Sequence, residues 1–256
     1  MTARSICLLL IALSLPGAEV ALAQTPPAKE PLPLWDVQVG ASFVGTTGNS
    51  DTSSTGIDFA GHRRGDVWKI DSTATAVRTS DQGMTTAERY LGMVRGQRTL
   101  TPLVGVSVGE RLERDRFSGI DLRSILDAGL SWALLRRTDW TLDGVTGLGW
   151  NHESRTVGAD LNDPVGTLQL LSRIPFAGGE TTQRVTYYPD FSATSAYRTE
   201  AEVTAQASMT TRLALKIGYL FRYSNAPVPG FKKTDNTTTA SVVLQWRATT
   251  PAPAAP

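Results

Sequence analysis

Thiols, imidazoles and long apolar runs are nearly missing from this 256-residue chain. A single cysteine, Cys7, and two histidines, His62 and His152, cannot assemble a His/Cys metal cluster, and one thiol cannot make an internal disulfide. A charge surplus is missing too: 25 Lys+Arg against 24 Asp+Glu leave +1, too little to neutralise a phosphate backbone, so nucleic acid is not an expected partner. No glycine-rich loop stands between a strand and a helix, and no cofactor is expected. With 41% hydrophobic residues, the chain cannot supply a bundle of lipid-buried helices, each of which needs about 20 nearly uncharged apolar residues. One membrane architecture passes this test. A transmembrane β-barrel alternates polar and apolar side chains, so its average composition looks soluble; the 23 Gly and 6 Trp suit it.

The first two dozen residues read as an export signal. Arg4 supplies a positive charge, Ile6 to Leu15 is an apolar run too short to span a bilayer, and Ala21-Leu22-Ala23 is a small-residue cleavage site before Gln24. The expected organisation is therefore a signal peptide over 1–23, a proline-rich periplasmic linker over 24–34, a barrel over 35–246 and a Pro/Ala-rich tail over 247–256.

Between Trp35 and Trp246 the periodicity is two, not 3.6. Leu122, Ser124, Leu126, Ala128, Leu130, Trp132 and Leu134 alternate with polar or small partners, and Leu213, Leu215, Ile217, Tyr219, Phe221 and Tyr223 repeat the pattern. The alternation predicts an all-β, antiparallel, up-and-down transmembrane barrel of about 12 strands, near 35–45, 52–62, 66–78, 85–98, 101–114, 119–135, 139–152, 165–175, 181–188, 196–209, 212–224 and 235–246. Odd-numbered connections read as longer than even ones, which predicts that both termini are periplasmic. Trp35, Trp68, Trp132, Trp140 and Trp246 fall at one set of strand ends and Trp150 and Tyr223 at the other, as two interfacial belts require.

The opposite parity predicts the lumen lining. Arg95, Arg111, Asp121, Arg123 and Asp127 come from the first half of the barrel, and Asp143, Arg198, Glu200, Glu202, Lys216 and Arg222 from the second. Neighbouring strands suggest pairs: Arg111 with Asp121 or Asp127, Arg123 with Asp143, and Glu200 or Glu202 with Lys216. Such pairs either brace a filled interior or form a constriction for a small solute. Asn151-His152-Glu153-Ser154 offers the residue types of an outer-rim hydrolase, although a triad is defined by geometry and not adjacency.

The order Gly48-Asn49-Ser50-Asp51-Thr52, Arg63-Arg64-Gly65-Asp66-Val67-Trp68, Thr86-Ala87-Glu88-Arg89-Tyr90 and Glu113-Arg114-Asp115-Arg116-Phe117-Ser118-Gly119-Ile120-Asp121-Leu122-Arg123 resembles the YdiY-like family of salt-induced outer-membrane proteins. The resemblance covers most of the chain after the signal. It implies a bacterial outer-membrane barrel and transfers no catalytic or ligand residues. One departure is the tail: outer-membrane barrels end on an aromatic, here matched by Trp246, yet Arg247 to Pro256 follow. The expected function is non-enzymatic, either envelope-structural or a narrow passive channel, with a link to salt or osmotic response. Alternatives are a rim hydrolase using His152 and a soluble periplasmic β-sheet binding protein. Expected partners are outer-membrane lipid, the barrel-insertion machinery and small solutes.

Overall fold

The computed structural model describes residues 34–46, 52–65, 67–193 and 196–248. The expected signal peptide, most of the linker and most of the tail lie outside these residues. The described strands are β1 (Trp35–Thr46), β2 (Thr52–Arg64), β3 (Trp68–Asp81), β4 (Met84–Thr99), β5 (Val104–Asp115), β6 (Ile120–Arg136), β7 (Thr141–Arg155), β8 (Leu161–Phe176), β9 (Gly179–Pro189), β10 (Tyr197–Ser208), β11 (Leu213–Ser224) and β12 (Thr234–Ala248). Each pairs antiparallel with its sequence neighbours, and β1 pairs with β12 to close the barrel. Closure satisfies the backbone without an edge, which a wall in hydrocarbon requires. The seam is short. β1 pairs with β2 from Trp35 to Thr46 but with β12 only from Trp35 to Ala41.

Alternation turns the apolar set outward. Ile217 is 62% exposed, and Leu126, Leu148, Val108 and Leu215 join it on the outer face. A soluble protein would bury these side chains; a barrel gives them to lipid. At the end where the chain enters and leaves, Trp35, Trp68 and Trp246 are exposed, with the Arg63 and Arg98 guanidiniums over the Trp35 and Trp68 rings. At the other end Tyr187, Tyr197 and Tyr223 form a chain of rings across β9, β10 and β11, and Trp150 is exposed. Amphipathic rings at both ends of an apolar band are the mark of an interfacial belt. Among the described residues Glu110 breaks the band: it faces outward in register with Val94 and Leu126.

Several boundaries shift from those predicted. Residues 79–84 do not form a loop, because β3 and β4 run on to a two-residue turn, Gln82-Gly83, with φ of 49° and 79°. Two positive φ values match the twist of a hairpin, so the strands can continue to the turn itself. The predicted loop over 153–164 shrinks to 156–160, since β7 continues through Arg155 and β8 starts at Leu161. The longest connections, 190–196 and 225–233, nevertheless lie at the end away from the termini.

Asp121 requires a correction. The β6–β7 register slips between Ile120 and Leu122, so Asp121 is the extra residue of a bulge. Its carboxylate points to the outside rim, 2.8 Å from Arg116 Nε and 3.5 Å from Arg114 Nη2, and not into the lumen.

Candidate functional site

The lumen is filled on one side and open on the other. Alternation on β5 sends Arg111, Glu113 and Asp115 inward; on β6 it sends Arg123, Ile125 and Asp127, and on β7 Asn151 and Glu153. Glu113, 1% exposed, accepts hydrogen bonds from four arginines: Arg89 (2.9 and 3.0 Å), Arg111 (3.3 Å), Arg123 (3.1 Å) and Arg222 (3.0 Å). Glu153, equally buried, accepts from Arg123 (2.7 Å), Arg155 (2.7 Å) and Arg198 (3.1 Å). Arg111 also donates to Glu200 at 2.6 Å and Arg222 to Asp115 at 2.9 Å. The result is a lattice in which arginines bridge carboxylates from β5, β7 and β10. An isolated buried carboxylate is costly, and several charge-assisted bonds per oxygen are what make this arrangement tolerable. Lower on the same side Arg95 clasps Asp127 through two bonds of 2.8 and 2.7 Å, and Ile125, Val165 and Tyr188 pack as a small apolar cluster.

The 225–233 connection covers this lattice from above. Val228 is 3% exposed and sits over Gly119, whose φ is 80°. A Cβ at Gly119 would fall 2.7 Å from that of Val228, so glycine is needed both for the backbone and for the approach. Beneath the connection only about 50 Å³ of space remains, lined by Arg123, Glu153, Arg198 and Lys233 among others.

The other side is different. The inward faces of β1, β2 and β12 carry many short side chains, Ser42, Ser54, Ala60, Thr237 and Thr239 among them, with longer ones such as Gln38, Asp58 and His62 between. They border a cavity of about 1080 Å³, whose lining includes Arg64 and Arg247 at the terminal end and Thr86, Ser118 and Asn236 at the far end. Lys216 reaches across it to Asp58 at 2.5 Å, and Ser241 contacts the same carboxylate at 3.3 Å.

Of the predicted lining, the structure brings Arg111, Arg123, Arg198, Glu200 and Arg222 into one lattice. Asp127 pairs with Arg95, Glu202 with Arg184 at 3.1 Å, Lys216 with Asp58, and Asp143 with Arg136 and Arg173. None of the predicted pairings is the one formed. Glu113 and Glu153, the two hubs, were absent from the predicted lining, as were Arg89 and Asp58. Parity alone finds Glu113, two residues from Arg111 on one strand; Glu153 is hidden when β7 is ended at 152, three residues before its end at Arg155. His152 faces outward while Asn151 and Glu153 face in, so the pleat splits the sequence cluster across the wall. Among the described residues no group of three or more His, Cys, Asp and Glu side chains could hold a metal ion.

A closed antiparallel barrel with an apolar outer band, two aromatic belts and a charged, partly filled lumen is a transmembrane barrel of the outer-membrane kind. The chain belongs to the family described as "Protein of unknown function, DUF481", whose pattern matches residues 39–246. No curated protein matches the sequence. Solved structures with a similar fold include the NanC porin, 15% identical with a TM-score of 0.45 over 82% of this chain and 97% of that one. The COG4313 outer membrane channel from Pseudomonas putida F1 is 11% identical, TM-score 0.48, over 88% of this chain and 99% of that one. An anion-selective porin from Comamonas acidovorans is 11% identical, TM-score 0.40, over 83% and 98%.

Proposed function

We propose that the protein is a narrow, passive, non-enzymatic channel for small solutes in the bacterial outer membrane, with both termini in the periplasm. The observation that carries this reading is the cavity of about 1080 Å³ bordered by residues from both ends of the barrel. Spread over a hydrocarbon core about 30 Å thick, that volume corresponds to a mean bore of roughly 3.4 Å radius. Small ions and small organic molecules fit such a passage. What supports this orientation is that the longest connections lie opposite the termini, since outer-membrane barrels keep short turns on the periplasmic side. Its partners on this reading are outer-membrane lipid and the barrel-insertion machinery. The resemblance to salt-induced proteins adds an expectation about expression: abundance on an immunoblot rises with external NaCl.

Planar-bilayer recording of the refolded chain tests the channel, with heat-modifiable gel mobility reporting that the barrel has formed. Discrete conductance steps are expected. A folded, inserted barrel that passes no current would overturn the reading and leave an envelope-structural role.

A further inference from the structure

The cavity is two-faced in cross-section. In the ring of twelve strands β3 and β4 lie diametrically opposite β9 and β10. The β2–β4 wall presents Ala60, Val77, Leu91 and Met93 to the cavity, together with the methyl-bearing Thr73 and Thr75, while polar side chains of the same wall are engaged elsewhere: Asp58 with Lys216, His62 with Asp71 and Arg89 with Glu113. The facing wall presents Arg184 beside Glu202 at 3.1 Å, and Glu200, which holds Arg111 of β5 at 2.6 Å. A conduit for water and inorganic ions gains nothing from valine, leucine and methionine in its lining, because apolar surface in contact with water is unfavourable. A solute with an apolar body would cover that surface.

We infer that the lumen favours small zwitterions with an apolar body, that is, α-amino acids with aromatic or aliphatic side chains. The inference rests on the channel reading and names its substrate class. The charged wall decides the head group. Its cations and anions stand side by side as pairs, so a zwitterion exchanges one internal bond for two external ones, carboxylate to Arg184 and ammonium to Glu202, and every charge stays compensated. A simple anion taking Arg184 would strand the Glu202 carboxylate, and a simple cation taking Glu202 would strand the guanidinium. Leaving Arg184 or Glu202, with 27% and 38% of its side chain exposed, to be compensated by water alone is the small penalty that discriminates.

Proteoliposomes holding the refolded chain can be tested with four probes. L-Phenylalanine, 3-phenylpropionate and phenethylamine share a body and differ in head; glycine keeps the head and lacks the body. The expected order is phenylalanine above the two singly charged analogues and above the smaller glycine, each by about threefold or more. Leu91→Ser with Met93→Ser lowers the phenylalanine-to-glycine flux ratio, and Glu202→Gln lowers the phenylalanine-to-phenylpropionate ratio. Met93→Thr alone serves if the double variant loses heat-modifiable mobility. Ion conductance with fluxes ordered by size alone, or equal for the three heads, removes this inference and leaves the channel standing. A barrel that passes neither ions nor amino acids removes the channel reading and this inference with it.

Discussion

The filled half of the barrel, built around β4–β8, and the open half, built around β1–β3, β11 and β12, share an exterior and differ inside. In the first, long arginines converge on Glu113 and Glu153 and leave little space; in the second, Ser42, Ser54 and Thr239 leave most of the cavity. Strand geometry does not distinguish them, since both halves alternate in the same way. The length and charge of every second side chain decide which part of a barrel is wall and filling and which is wall and passage.

Four substitutions test that contrast. Glu113→Gln removes the carboxylate that compensates Arg89, Arg111, Arg123 and Arg222, and is expected to destabilise the barrel by about 3–5 kcal/mol in denaturant titrations on lipid vesicles. A cost below about 1 kcal/mol would mean that the filled half is not held by its lattice. Ile217→Arg, on the outside of the open half, is expected to lose about 2–4 kcal/mol near the midplane; an inserted barrel of normal stability would show that β11 does not face lipid in this register. On the outside of the filled half, Glu110→Leu is expected to gain about 1–2 kcal/mol, because it replaces a carboxylate in the apolar band. A loss on that substitution would mean that Glu110 has a partner in the membrane. Asp58→Asn, in the open half, breaks the Lys216 bridge, and about 1 kcal/mol or less is expected, since water in the cavity takes over the freed ammonium. If Asp58→Asn costs as much as Glu113→Gln, the two halves are equally braced and the comparison fails.

The strands were legible in the sequence because lipid on one side and a polar lumen on the other impose a strict period of two. Residues such as Leu126 and Ile217 therefore announced their face without a structure. Asp121 did not, because one bulged residue reverses parity and nothing in Ile120-Asp121-Leu122 marks the slip. The pairings were illegible for another reason. Sequence reasoning matches charges on adjacent strands, whereas Arg111 meets Glu200, Arg198 meets Glu153 and Lys216 meets Asp58 across the barrel interior. Such partners are chosen by side-chain reach over the lumen, a distance that exists only after closure.

The short seam between β1 and β12 bears on how long the barrel lasts. Every other strand pair is a hairpin that can stay zipped while the molecule opens, but the seam joins the first strand to the last over Trp35–Ala41 alone. Parting it turns a closed cylinder into a curved sheet with two free edges, and no other joint achieves this with so few ladder hydrogen bonds broken. Equilibrium stability is spread around the whole wall, whereas the lifetime in the membrane is expected to depend on this one joint, so a cross-link between β1 and β12 should slow unfolding. On the same expectation, assembly ends with the meeting of the first and last strands.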